Sequence, residues 1–148
     1  ELGLIYPDKG EDHPKMKMNK SGKFESSFVS VEIPENKSIM LKSLAGSQLG
    51  IWVAHGEGRF ELPGEESEYN ISAKYLYSEY PGNPNGSDFG TAAVCSPDGR
   101  HLAMMPHLER TIFPWQNAFY PYEYRKHDVT PWMEAFANAR EWLKNNSK

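Results

Sequence analysis

Between residues 23 and 33 apolar side chains alternate with polar ones, with Phe24, Phe28, Val29 and Val31 set among Ser and Glu, and the run stops at Pro34. That spacing predicts a half-buried strand. Ile51, Trp52, Val53 and Ala54 form a compact apolar run that leads straight into His55-Gly56-Glu57-Gly58, and a third strand is predicted between residues 71 and 77. Residues 91 to 95 and 102 to 105 are strand-like and are joined by Ser96-Pro97-Asp98-Gly99-Arg100, whose Pro-Asp-Gly order is strong turn chemistry. This is the clearest hairpin in the chain. Ser38 is placed to cap a short element through Ile39, Met40, Leu41 and Leu44, after which Gly46 and Gly50 allow turns.

The clearest helix is in the tail. Thr130 is its expected N-cap and Pro131 its first turn, with Trp132, Phe136, Ala139 and Leu143 on one stripe and Glu134, Asn138 and Glu141 elsewhere. The opening seven residues, apolar and closed by Pro7, read as the last turn of a helix, and residues 8 to 22 read as a loop. Polar residues with Pro63 and Gly64 separate the second and third strands. Residues 80 to 87, Tyr-Pro-Gly-Asn-Pro-Asn-Gly-Ser, exclude both helix and central strand and predict a shaped loop. There is no internal repeat.

A length of 148 residues with 7 Phe, 8 Tyr and 4 Trp supports one core and one folding unit, or a piece of one. The net charge of -4 arises from interspersed acids and bases without a long basic run, which argues against nucleic acid as a partner. Cys95 has no second thiol to pair with, and no apolar run reaches the roughly 20 residues of a membrane span. These features predict a cytoplasmic protein with neither membrane nor nucleic-acid partner.

The sharpest chemical signal is Met104-Met105-Pro106-His107-Leu108-Glu109-Arg110. In extended chain, residues two apart project to the same side, so Glu109 is placed to hold the tautomer of His107 and favour its protonated form, as a triad carboxylate does. The competing reading is a surface loop with an ordinary histidine. His55-Gly56-Glu57-Gly58 is a second candidate, since its glycines allow a ligand close to the backbone, against the reading of a plain tight turn. The five histidines show no His-x-x-x-His spacing and there is no cysteine pair, so no metal site is expected. Trp115, Phe119, Tyr120, Tyr122 and Tyr124 read either as a stacking platform or as packing of an irregular segment. Cys95 lacks the small residues that a nucleophile elbow needs two positions to either side, having Ala93 and Pro97 instead. By its own residues the chain offers a histidine and a carboxylate without a nucleophile.

Four ordered motifs, NKSGKFESSFVSVEIP, IWVAHGEGRF, YPGNPNGS and GRHLAMMPHLER, resemble the class I glutaminase domain of the phosphoribosylformylglycinamidine synthase family. The tail, from FPWQNAFYPY to TPWMEAFANARE, is similar to the large single-chain form. The resemblance implies a flavodoxin-like three-layer α/β domain, of which this chain would hold the later strands and the final helix. It also implies a nucleophilic cysteine about ten residues upstream of Glu1, at a strand-to-helix elbow.

On that resemblance the cysteine would attack the side-chain amide of glutamine to form a glutamyl thioester. His107 would carry the proton to the leaving ammonia and then activate water, and Glu109 would orient His107. Gly56 and Glu57 would help hold the glutamyl group. Ammonia would pass to the synthetase part of the same polypeptide, where magnesium-ATP activates the formylglycinamide ribonucleotide; no cofactor is expected in this segment. The chain alone is expected to be inactive and to need its missing half or another chain, a second copy of itself included, to cover apolar surface left exposed. The alternative is a non-catalytic interaction module that keeps the scaffold.

Overall fold

A computed structural model describes residues 3–6 and 13–146. Its strands are β1 (Lys15–Lys17), β2 (Glu25–Glu32), β3 (Gln48–His55), β4 (Arg59–Glu61), β5 (Ile71–Tyr75), β6 (Thr91–Cys95) and β7 (Leu102–Met104), followed by one helix, α1 (Met133–Asn146). Five strands form a sheet in the order β3-β2-β5-β6-β7, and β1 pairs with β4 in a separate ribbon. Every one of these pairings is antiparallel.

β3 and β7 stand at opposite ends of the strand order, yet the His107 amide, three residues past β7, donates to the Trp52 carbonyl of β3 at 2.8 Å. The sheet therefore curls until its two ends meet. Alternation along the strands sorts the side chains: Val29 and Val31 of β2 and Ile51 and Val53 of β3 point into the core, together with Ala73 and Tyr75 of β5. Leu41, Leu44, Leu108, Trp132 and Ala135 complete that cluster. All five residues of β6 are buried, because it is covered on both faces. On its other side Val94 joins Phe60, Leu62, Tyr69 and Ile71, against which Ile5 and Tyr6 pack.

Strands β2, β3, β5 and the β6–β7 hairpin fall where the hydrophobic pattern predicts them. Ser38 also caps as expected, its hydroxyl accepting from the Leu41 amide at 3.3 Å ahead of the short 3₁₀ turn Lys42–Leu44. The region expected as loop up to residue 22 contains β1, and the polar stretch after Gly58 contains β4; each strand is three residues long. Strands this short show no apolar period, and they form by pairing with each other. Gly50 is no turn. It lies within β3, where a Cβ would come within 2.4 Å of the Phe28 ring, so the glycine serves a close approach. The expected helix end at residues 1–7 lies partly outside the described residues, and its described part is a bend with Gly3 at φ 64.

The tail helix is present but turned from the expected stripe. Trp132 and Ala135 are buried, while Phe136 and Leu143 are 39% and 56% exposed. The rotation follows from anchors that hydrophobicity does not encode: the Trp132 indole donates to the Gly50 carbonyl at 2.8 Å, and the Asn138 amide donates to the Met40 carbonyl at 3.0 Å. Thr130 does not cap with its side chain, since its hydroxyl donates to the Thr111 carbonyl at 2.6 Å. Its amide donates to the Ile112 carbonyl at 2.7 Å. The intervening stretch thus leaves and rejoins the body at one point.

Candidate functional site

β7 ends at Met104, and Pro106 then removes a backbone donor that would otherwise extend the ladder. His107 is seated by its amide bond to Trp52, while its carbonyl accepts from the Arg110 amide at 3.2 Å and the Thr111 hydroxyl at 3.2 Å. Residues Leu108–Arg110 form a 3₁₀ turn, and this turn brings Glu109 Oε1 within 2.7 Å of His107 Nδ1. The two side chains meet as the spacing predicted, but through a turn and not along an extended strand. Arg110 Nε lies 3.7 Å from the same Glu109 oxygen.

Burial works against ionisation of Glu109. Hydrogen bonds from its own backbone amide and from His107, with the charges of His107 and Arg110, outweigh that and hold the carboxyl below its ordinary range. Glu109 remains a solvated anion with a 61% exposed side chain, and the His107 side chain is 26% exposed. A carboxylate fixed on Nδ1 selects the tautomer with its proton on that nitrogen and leaves Nε2 as the ring's basic atom.

The second candidate lies at the end of β3. His55 is buried, Gly56 half-buried and Glu57 exposed. His55 Nδ1 lies 2.8 Å from Asn85 Nδ2, and that amide also donates to Asn19 Oδ1 at 2.8 Å. The Tyr75 hydroxyl donates to Asn85 Oδ1 at 2.5 Å. Asn19 in turn donates to the His55 carbonyl at 2.7 Å and accepts from the Gly58 amide at 3.1 Å. Burial, with the nearby charge of His107, holds the His55 imidazole below its ordinary pKa. The ring is therefore neutral at physiological pH.

Asn19, Tyr75 and Asn85 were not identified as site residues from the sequence. The signal was present in the Asn-Pro-Asn-Gly-Ser loop, which excludes regular structure and so must be shaped for something. Asn83 organises that loop, its Oδ1 accepting from the amides of Gly86 and Ser87 at 3.1 Å each.

Cys95 lies in β6, where the strand was predicted, and is fully buried. Among the described residues no group of three or more His, Cys, Asp or Glu side chains is placed to hold a metal ion. A cavity of about 500 Å³ lies between α1 and the preceding segment, lined by Tyr120, Tyr124, His127, Thr130 and Met133 among others. None of His55, Gly56, Glu57, His107 or Glu109 lines it.

Residues 1–143 match the family of CobB/CobQ-like glutamine amidotransferase domains. The chain belongs to that family. The amidotransferase domain is 46% identical over 146 aligned positions to a probable phosphoribosylformylglycinamidine synthase, chloroplastic/mitochondrial, of Arabidopsis thaliana, covering 89% of this chain and 10% of that protein. It is 38% identical over 171 positions to phosphoribosylformylglycinamidine synthase of Homo sapiens, covering 99% of this chain and 13% of that one. The domain thus spans only about a tenth of the length of these relatives.

Among solved structures, PurLQS from Thermotoga maritima superposes with a TM-score of 0.67 at 23% identity, covering 90% of this chain and 55% of that one. The similarity bears out the fold class expected from the sequence, strands followed by a C-terminal helix. No helix among the described residues is long and apolar enough to cross a membrane.

Proposed function

We propose that this amidotransferase domain is the glutaminase part of a phosphoribosylformylglycinamidine synthase and that His107 and Glu109 are two members of its catalytic triad. The observation that carries this reading is the 2.7 Å contact between His107 Nδ1 and Glu109 Oε1, on a backbone pinned to β3. A ring so oriented presents Nε2 to a cysteine nucleophile supplied by sequence upstream of Glu1. The thiolate attacks the carboxamide carbon of glutamine, and imidazolium gives its Nε2 proton to the departing ammonia. Neutral His107 then takes a proton from water, which attacks the thioester, releases glutamate and returns the thiolate. Glu109 stabilises the imidazolium in both halves of the cycle.

Gly56 and Glu57 contribute to holding the glutamyl group. The ammonia goes to the synthetase part of the same polypeptide, where magnesium-ATP activates the formylglycinamide ribonucleotide; that chemistry belongs to residues outside this segment. The reaction is assigned to the cytoplasm, although the Arabidopsis relative is named for organelles. The test is a polypeptide extended upstream through the elbow. It should hydrolyse glutamine and lose that activity in His107→Ala. Activity indifferent to changes at both His107 and Glu109 would refute the reading and leave the interaction module.

A further inference from the structure

The buried polar cluster at the end of β3 has its protons fixed by elimination. Asn19 Oδ1 must be an oxygen, since it receives the Gly58 amide at 3.1 Å, while Asn19 Nδ2 donates to the His55 and Lys23 carbonyls at 2.7 and 3.0 Å. The Asn85 atom facing that oxygen is therefore a donor, Nδ2. The same Nδ2 faces His55 Nδ1, which must accept, so the neutral ring carries its proton on Nε2. That Nε2–H is buried and has no hydrogen-bond partner among the described residues, in a residue 8% exposed. The ring is held in place through the Asn85 contact at Nδ1.

What the cluster holds is the turn after β3. The Asn19 amide donates to the Gly56 carbonyl at 2.8 Å, so with its side chain Asn19 occupies the His55 and Gly56 carbonyls and the Gly58 amide. All three face inward. The amides of Gly56 and Glu57 find no acceptor among the described residues, and Glu57 is exposed. Two successive free amides on a braced turn suit the oxygen atoms of an anionic or amide ligand. Gly58 is the corresponding tight spot: a Cβ there would lie 2.2 Å from His55 Nδ1 and 2.6 Å from Asn85 Nδ2. The side chains are packed against the turn's backbone itself.

We propose that Asn85, presented by the Asn83–Ser87 loop, is a positioning residue for glutamine binding, acting through Asn19 and His55 to set the backbone of the turn at residues 55–58. This rests on the glutaminase reading above. It gives the Asn-Pro-Asn-Gly-Ser loop a task that its sequence alone does not reveal. Asn85 does not touch substrate. It fixes which polar groups of the turn are spent inward and which remain for the ligand.

The test uses the full-length polypeptide that carries this segment, assayed with glutamine and, separately, with ammonium chloride as nitrogen donor. Asn85→Asp keeps the acceptor for Tyr75 but can donate neither to Asn19 nor to His55. The KM for glutamine should rise about tenfold or more with kcat reduced much less, while the ammonia-dependent rate is retained. Tyr75→Phe removes one hydroxyl from the far side of Asn85 and should raise the same KM by about threefold without unfolding the domain. Nitrogen-15 shifts of the His55 ring should report a neutral Nε2–H form that is lost in Asn85→Asp. Unchanged KM in both variants overturns the proposal, as does a parallel fall of glutamine- and ammonia-dependent rates. If His107→Ala abolishes glutamine use while the Asn85 and Tyr75 variants behave as wild type, the positioning role of Asn85 is wrong and the glutaminase reading stands. If His107→Ala keeps glutamine use, the glutaminase reading falls and takes the positioning role of Asn85 with it.

Discussion

Glu109→Gln isolates the contribution of the carboxylate proposed to orient His107, and the structure sets its size. The Glu109 oxygen lies 2.7 Å from His107 Nδ1, but its side chain is 61% exposed. In water-like surroundings a pair at that distance is worth about 1.5 kcal/mol. A hydrogen bond to a charged group contributes about 1.5–3 kcal/mol. The upper end requires partial desolvation, which bound substrate can provide. Converted at 1.36 kcal/mol per decade, the loss is roughly 10- to 150-fold in kcat. Because the interaction strengthens as the imidazolium forms, kcat and kcat/KM should fall together with KM unchanged. The assay is glutamine hydrolysis by the full-length polypeptide, followed by released glutamate. A loss under threefold would mean that Glu109 does not orient the ring. A loss beyond about a thousandfold would mean a far more enclosed dyad than the observed exposure allows.

Trp132→Ala should destabilise the protein by about 3–5 kcal/mol and Trp132→Phe by about 1–2 kcal/mol, read by chemical denaturation, because only the second keeps the packing while freeing the Gly50 carbonyl. His55 titrates below its ordinary value in the folded state, so the unfolded chain binds the proton first; stability should be complete above the unfolded value near 6.5 and decline as pH falls below it. Melting temperature followed from pH 7.5 to 5.5 should show that slope in wild type and lose it in His55→Gln, and a flat wild-type profile would contradict a neutral buried ring. Sedimentation of this chain alone should show concentration-dependent association, since Phe24, Trp115, Phe119 and Tyr122 are 64%, 80%, 70% and 84% exposed. A monodisperse monomer at high concentration would contradict that.

The strands with a clear period of two and the Pro-Asp-Gly hairpin were legible because burial and turn chemistry are local. β1 and β4 were not, because three-residue strands take their identity from each other. The helix stripe failed for a related reason: Asn138 and Trp132 are fixed by carbonyls in Met40 and Gly50, about ninety residues earlier, and that overrides the apolar pattern of Phe136 and Leu143. At the site, the His107 and Glu109 pairing was readable from spacing, though a 3₁₀ turn and not an extended strand produces it. The Asn19, His55 and Asn85 cluster joins residues up to 66 positions apart and could not be assembled from any window of sequence.

The bonds from Thr130 to the Thr111 and Ile112 carbonyls, at 2.6 and 2.7 Å, make a closed neck. The stretch beyond that neck is tied back near its start as well, since the Trp52 indole donates to the Gln116 carbonyl at 2.7 Å and the Gln116 side chain donates to the Glu109 carbonyl at 3.4 Å. Changes of length are therefore best tolerated past residue 117, around the exposed Tyr122. Changes before it would reach Trp52, the residue whose carbonyl seats the His107 amide.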